Sequence, residues 1–519
     1  MEKVLAFGRG RHKSIRQGAD QLVVSVYRSI ARHSGTYAIA TYVSRLSALL
    51  LLPIYTSYLT PADYGVLELL EMAAFVFNSL LGAQLGRALL YFYPKADSPE
   101  AQRKTVGVAF LAALGLGTVG AAVGILAGDA LSLLVFESRD YAHLFLLSFG
   151  VSVFSFPREV CFSWLRAVDR SGTFVAAELL RLAVSIVLNI VFLAVYHLGL
   201  LAILYSNLIV SALTFLGLSY IVFGRSRPQF DWRIFKAQIR YGFPLGVGGV
   251  GMLVMHFGDR FFLQRSTSLS DVGIYSLAYK LGMLVGYVQL PFWDYWSAQM
   301  HRVAAKSGGK RVYSQVGTYY FLTITTCGVG ISLFASPMIV FLTTEQFHRA
   351  AVFVPLLAAG YVVRGLADYF RNVQLIEAKT TLSAGITWTS AAAALVLYGV
   401  LIPRFQIWGA VWSTVIVFVV MLFLAYWGAG RRTRYPFELG RIARILVCAV
   451  AAVALTWSTQ PPTFWMAVLW GTGGMLLFCS LLFLTRVLRP EEWRALLRFL
   501  AEIRTATRRV KPEQTTPPS

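Results

Sequence analysis

The sequence predicts an all-α polytopic membrane protein of about 14 transmembrane helices: two six-helix lobes related by a parallel repeat, plus two extra C-terminal helices. Three observations predict it. First, 57% of the 519 residues are hydrophobic and only 14% are charged, against the ~25% charged residues of an ordinary soluble domain. So few charges cannot cover a soluble protein of this size, and the mean hydropathy of +0.61 agrees. Second, fourteen apolar stretches reach spanning length, at 33–56, 64–92, 105–128, 144–168, 172–196, 199–223, 241–264, 272–298, 312–336, 348–371, 381–402, 406–428, 443–459 and 463–485. They lack period-2 alternation, so helices rather than barrel strands must satisfy the backbone in lipid. Third, the loop charges alternate. The termini and even-numbered loops hold nearly all the loop Lys and Arg, whereas the odd-numbered loops hold only Arg139, Arg265, Arg349 and Arg404. A miscounted helix would scramble that alternation, so both termini are expected to be cytoplasmic.

In chain order, residues 1–32 read as a basic cytoplasmic tail with no cleavable signal peptide. Residues 33–223 form the N-lobe, with the first six spans, and 241–428 the C-lobe, with the next six. Between them, 224–240 places Phe230, Ile234, Phe235 and Ile239 at helical spacing among Arg233, Lys236 and Arg240, which predicts an amphipathic cytoplasmic helix. Residues 429–485 hold the last two spans and 486–519 a cytoplasmic tail. The lobes echo each other at an offset of 208: Asp63-Tyr64-Gly65-Val66 against Asp271-Val272-Gly273-Ile274, Glu137 against Glu345, and Phe145 against Phe353. Parallel repeats of this kind place a substrate site between the halves, near the midplane.

The net charge of +22 follows the loop pattern and needs no nucleic-acid partner. Gly246-Val247-Gly248-Gly249-Val250-Gly251 fits GxGxxG, but it opens a membrane helix without the strand and distal acid that a dinucleotide requires. Such glycines are expected to allow close helix packing or local bending. No GxxxxGK[ST], HExxH, GxSxG or metal-spaced His/Cys group is present, so the expectation is no cofactor, no metal, no catalytic residue and no ATP hydrolysis. Cys161, Cys327, Cys448 and Cys479 lie in or beside apolar stretches, and no disulfide is expected.

The informative residues are charges inside spans. Each costs at least about 2.5–3.5 kcal/mol at a helix centre and by default faces a cavity or a partner. Arg45, Lys280, Arg364 and Arg158 lie deep on the first, eighth, tenth and fourth spans and are candidates for substrate binding. Glu68, Glu71, His256, Asp259, Arg260, Asp294 and Asp368 are candidates for coupling or gating. Spacing allows Glu178 to pair with Arg181 and Arg364 with Asp368, whereas the adjacent Arg158 and Glu159 do not face each other. Deep cations suit an anion such as a diphosphate, which guanidinium groups bind in bidentate fashion. An inside-negative potential of 100 mV drives each anionic charge outward by about 2.3 kcal/mol, so export of an anion can proceed without ATP.

Two motif sets then resemble a known family. Leu52-Pro53-Ile54-Tyr55-Thr56-Ser57-Tyr58-Leu59-Thr60-Pro61-Ala62-Asp63-Tyr64-Gly65 is similar to the start of polysaccharide transporters of the O-antigen flippase type. Tyr241-Gly242-Phe243-Pro244-Leu245, Asp259-Arg260-Phe261-Phe262-Leu263 and Asp271-Val272-Gly273-Ile274-Tyr275-Ser276-Leu277-Ala278-Tyr279-Lys280 are similar to their second half. The resemblance spans roughly 33–485 and implies membership of the multidrug/oligosaccharidyl-lipid/polysaccharide exporter superfamily. It implies alternating access that moves an undecaprenyl-diphosphate-linked oligosaccharide to the periplasmic leaflet of a bacterial inner membrane. The products implied are O-antigen, capsule or exopolysaccharide, with membrane lipids, a polymerase and glycosyltransferases as partners. The alternatives are a lipid II flippase or a multidrug exporter of the same superfamily. A membrane polymerase or glycosyltransferase is the alternative from another class, but the longest outer loop, 129–143, is short for a catalytic domain.

Overall fold

The computed structural model describes residues 49–487, apart from 83, 225–226, 307, 378, 434 and 458–462. The described residues form helices, with no strand among them. Nine helices are long and apolar enough to cross a membrane, or ten when the bent pair Glu345–Val352 and Val354–Ile376 counts as one span. The expected fourteen differ from this for identifiable reasons. The first span lies largely outside the described residues, which begin just before α1 (Leu52–Tyr58). The seventh lies within α10 (Trp232–Ser266), whose charged residues lower its apolarity, and the predicted linker helix is the beginning of that same helix. The eighth is broken into α11 (Leu269–Gly282), α12 (Leu284–Val288) and α13 (Leu290–Ala304). The eleventh and twelfth run together as α17 (Thr380–Thr433), interrupted where Gln406 adopts φ 53°.

The chain gathers into two compact units. The larger comprises residues 49–287 and 334–432. It begins with α1 and α2 (Pro61–Phe77), which continues through a π-helical turn at Asn78–Gly82 into α3 (Gln84–Phe92). Then come α4 (Pro99–Leu126), α5 (Gly128–Phe136), α6 (Ala142–Gly150), α7 (Ser152–Ala167), α8 (Ser171–Ile190) and α9 (Leu200–Phe223). Leu85, Leu89, Ala109, Phe110, Phe156 and Val160 fill the core of this bundle. The smaller unit comprises 288–333 and 433–487. There α14 (Gly309–Leu333), α18 (Leu439–Trp457) and α19 (Phe464–Leu484) pack around Val329, Cys448, Ala452 and Phe478. Helices α15 (Ala335–Leu342) and α16 (Val354–Ile376) belong to the larger unit. All four cysteines are free thiols.

The 208-residue echo has a physical counterpart in the larger unit. Thr60 caps α2 by accepting from the Asp63 amide at 3.2 Å, and Ser268 caps α11 by accepting from the Asp271 amide at 3.2 Å. One turn further on, the helices cross at Gly65 and Gly273. A Cβ on Gly65 would strike the carbonyl oxygen of Leu269, and one on Gly273 that of Pro61. Each Cβ would also come within 3.1 Å of the opposite glycine's amide nitrogen. Residues 61 and 65 correspond to 269 and 273 at the same offset, so the repeated motifs face each other across a local two-fold. Side chains at this crossing would separate the backbones, and glycine is what permits the contact.

Candidate functional site

Four helices of the larger unit bring charges together below that crossing. On α2, Tyr64, Glu68 and Glu71 recur at helical spacing. On α10, His256, Asp259 and Arg260 share a turn. On α11, Tyr275 and Tyr279 are four apart, as are Ser276 and Lys280. On α16, Tyr361, Arg364, Asp368 and Arg371 form one stripe. Three- and four-residue spacing puts each set on one helix face.

At the centre Glu68, 1% exposed, accepts from Lys280 and lies 3.4 Å from Nε of Arg260. Lys280 also lies 3.7 Å from Glu71 and sits over the Tyr64 ring. Arg260 is 2% exposed. It donates to Ser276 at 3.1 Å and to the His256 carbonyl at 2.7 Å, and its guanidinium stacks 4.6 Å from the Tyr279 ring centroid. Asp259, fully buried, faces Arg260 at 3.3 Å through one oxygen. Its other oxygen accepts from Tyr275 at 2.5 Å and from Thr414 at 3.4 Å.

The network continues through His256. Its Nδ1 lies 3.0 Å from the Tyr279 hydroxyl and 3.3 Å from that of Tyr361, and its Nε2 lies 2.6 Å from Nη1 of Arg364. A guanidinium only donates, so Nε2 accepts, and the ring is neutral with its proton on Nδ1. Protonating His256 would set two cations against each other. Arg364 lies 3.7 Å from Asp368, which binds Arg371 at 2.9 Å, and Arg371 donates to Thr387 at 2.9 Å.

Glu68, Glu71, Asp259 and Asp368 thus balance Lys280, Arg260, Arg364 and Arg371. The candidates Lys280 and Arg364 each have a carboxylate partner in this conformation. Arg158 sits apart, on α7, donating to Ser211 at 3.0 Å. Its neighbour Glu159 pairs instead with Arg166, seven residues on, at 3.0 Å, and Glu178 pairs with Arg181 at 2.9 Å, as their three-residue spacing allows. Asp294 is exposed on α13, which belongs to the smaller unit. Arg45 lies outside the described residues. Tyr275, Tyr279, Tyr361 and Thr414 were not among the candidates, because a search for charge in apolar segments passes over neutral hydroxyls. Their signal is the spacing of two tyrosines beside Lys280. Arg371, at the very end of the predicted tenth span, lies well within α16, which continues to Ile376.

The profile of a family described as polysaccharide biosynthesis protein matches residues 30–292, half of the chain. The chain belongs to this family. No curated protein matches it in sequence. Among solved structures, "Lipid II flippase MurJ, inward closed conformation" superposes with a TM-score of 0.70 at 14% identity, covering 87% of this chain and 99% of that one. An inward-facing multidrug resistance MATE family transporter of the MOP superfamily gives a TM-score of 0.61 at 16% identity, covering 75% and 94%. An outward-facing MATE transporter gives 0.58 at 17% identity, covering 80% and 97%. At such identities the likeness is one of fold: this member of the polysaccharide biosynthesis family has the architecture of the MOP-superfamily transporters.

Proposed function

We propose that the chain is a flippase, not an enzyme, that carries an undecaprenyl-diphosphate-linked oligosaccharide from the cytoplasmic to the periplasmic leaflet of a bacterial inner membrane. The observation that carries this reading is the family match over residues 30–292 on a transporter fold. In it, segments 33–223 and 241–428 act as two lobes that alternate access, both termini are cytoplasmic, and residues 429–485 add two flanking spans. Arg45, Lys280, Arg364 and Arg158 take the diphosphate. Lys280 and Arg364 do so by trading carboxylate for phosphate oxygens, which released Glu68, Glu71 and Asp368 make reversible. His256, Asp259 and Arg260 transmit the exchange between α10, α11 and α16, and Asp294 is placed with the gating residues. A polymerase and glycosyltransferases supply and consume the substrate.

Cells depleted of the protein are expected to lose surface polysaccharide and to accumulate lipid-linked oligosaccharide that added glycosidase cannot reach until the inner membrane itself is permeabilised. Unchanged surface polysaccharide with arrested peptidoglycan synthesis would instead favour a lipid II flippase, the reading that the likeness to MurJ supports.

A further inference from the structure

We infer that a polar cavity in the N-terminal bundle and an apolar groove sharing its wall bind a phosphate-bearing isoprenoid lipid, with the phosphate on Arg158 and the hydrocarbon between α8 and α9. This rests on the proposed function for the kind of lipid. The cavity holds about 270 Å³ and is bounded by α2, α6, α7, α8 and α9. Asn78, Ser155, Ser185 and Asn207 supply hydroxyl and amide groups to its wall, an unusual concentration for helices in lipid.

Arg158 makes this a site rather than a void. Its Nη1 donates to Ser211, but its Nε is buried without an acceptor. No carboxylate among the described residues pairs with it. Arg158 is half-buried on the cavity wall with donors to spare, so an anion entering the cavity would gain a charge-assisted partner there. Three carboxylates stand nearby, and none fills the role. Glu159 is held by Arg166 at 3.0 Å, Glu178 by Arg181 at 2.9 Å and 3.1 Å, and Glu71, at the cavity wall, lies 3.7 Å from Lys280.

The groove supplies the second, independent observation. It holds about 290 Å³ along α8 and α9, lined by Leu180, Val184, Leu213, Gly217 and Ile221. Arg181 and Val210 line both groove and cavity. Helix α8 is barely covered, with 17% of its apolar window buried, and Leu180 is 66% exposed, so the groove opens to the bilayer. A Cβ on Gly217 would meet nothing within 4 Å, which leaves the groove floor clear. The groove meets the cavity at the Arg181–Val210 wall, so a hydrocarbon chain lying in it can carry a terminal phosphate into the cavity that Arg158 lines. Arg supplies bidentate donors for the phosphate oxygens. At about 270 Å³ the cavity falls just short of the ~300 Å³ at which sites for drug-sized ligands begin, so it holds the phosphate end and not an oligosaccharide.

The test uses a polyprenyl diphosphate with a photoreactive group in its isoprenoid chain, added to the full-length protein in lipid nanodiscs, with crosslinks mapped by peptide. The wild type is expected to be labelled on 210–221. Arg158→Gln should cut that labelling at least ten-fold, and Gly217→Trp, which fills the groove from its lipid side, should do the same without touching the cavity. Labelling that persists in both variants overturns the site. Equal labelling by the matching polyprenol, which lacks phosphate, would mean ordinary lipid contact and overturns it as well. Complete competition by an equal concentration of inorganic diphosphate would make it a free-anion site and overturn the lipid assignment. None of these outcomes requires transport, so a failed flipping assay with intact labelling would refute the proposed function and leave the site standing.

Discussion

Replacing Glu68 by alanine is expected to lower the unfolding free energy by about 3–5 kcal/mol and to stop transport. Among the described residues, Glu68 is the one carboxylate that touches both Lys280 of α11 and Arg260 of α10. Its removal leaves a positive excess in a site where Glu68, Asp259 and Arg260 are each at most 2% exposed. Two charges 4 Å apart interact by about 4 kcal/mol at an effective dielectric of 20, so solvent screening does not erase the loss. The structure also predicts what restores stability. Removing Lys280 with Glu68, as Glu68→Leu with Lys280→Leu, returns the balance of charge, since Arg260 retains Asp259 at 3.3 Å. The double variant should recover most of the loss in thermal unfolding followed by tryptophan fluorescence, while transport stays abolished. If the double variant is as unstable as Glu68→Ala, the two residues do not act as a pair.

The second large effect is expected at the crossing of α2 and α11. Gly65→Ala and Gly273→Ala each drive a methyl into backbone carbonyls, at Leu269 and Pro61, which cannot rotate aside. Overpacking of this kind costs about 1–3 kcal/mol, and a rigid backbone obstacle puts these at the upper end. Because both methyls would open the same contact, the double variant should cost less than the sum of the single ones. Gly249→Ala is the control: its Cβ would meet nothing within 4 Å, and alanine favours helix by up to about 1 kcal/mol, so stability should hold or rise. Thermal unfolding of the four variants measures all of this. Equal behaviour of Gly273→Ala and Gly249→Ala would refute the close approach.

Much of the site was legible in the sequence, because charge is rare and costly in apolar segments. Glu68, Glu71, Asp259, Arg260, Lys280, Arg364 and Asp368 stand out on that ground alone, and the structure gathers all seven in one network. Their partners were legible only when local. Helical spacing exposes Glu178 with Arg181 and Arg364 with Asp368. Nothing in the spacing pairs Glu68 with Arg260 or Lys280, since these contacts depend on how α2, α10 and α11 cross. The 208-residue offset showed that Gly65 and Gly273 are equivalent positions, but not that equivalent glycines touch. The seventh span escaped the count because α10 carries the charges that enter the network, and the eleventh and twelfth merged because only Gln406 interrupts them. The tyrosines that complete it carry no charge and were passed over.

The most direct measurement of the central claim is flipping by the purified protein in sealed vesicles. A fluorescent undecaprenyl-diphosphate glycan in the inner leaflet should become accessible to an external quencher only when the protein is present, faster under an inside-negative potential. Translocation should vanish with Glu68→Ala and persist with Glu68→Asp. Folded protein that leaves the glycan in place, or that moves cationic drugs instead, would contradict the account.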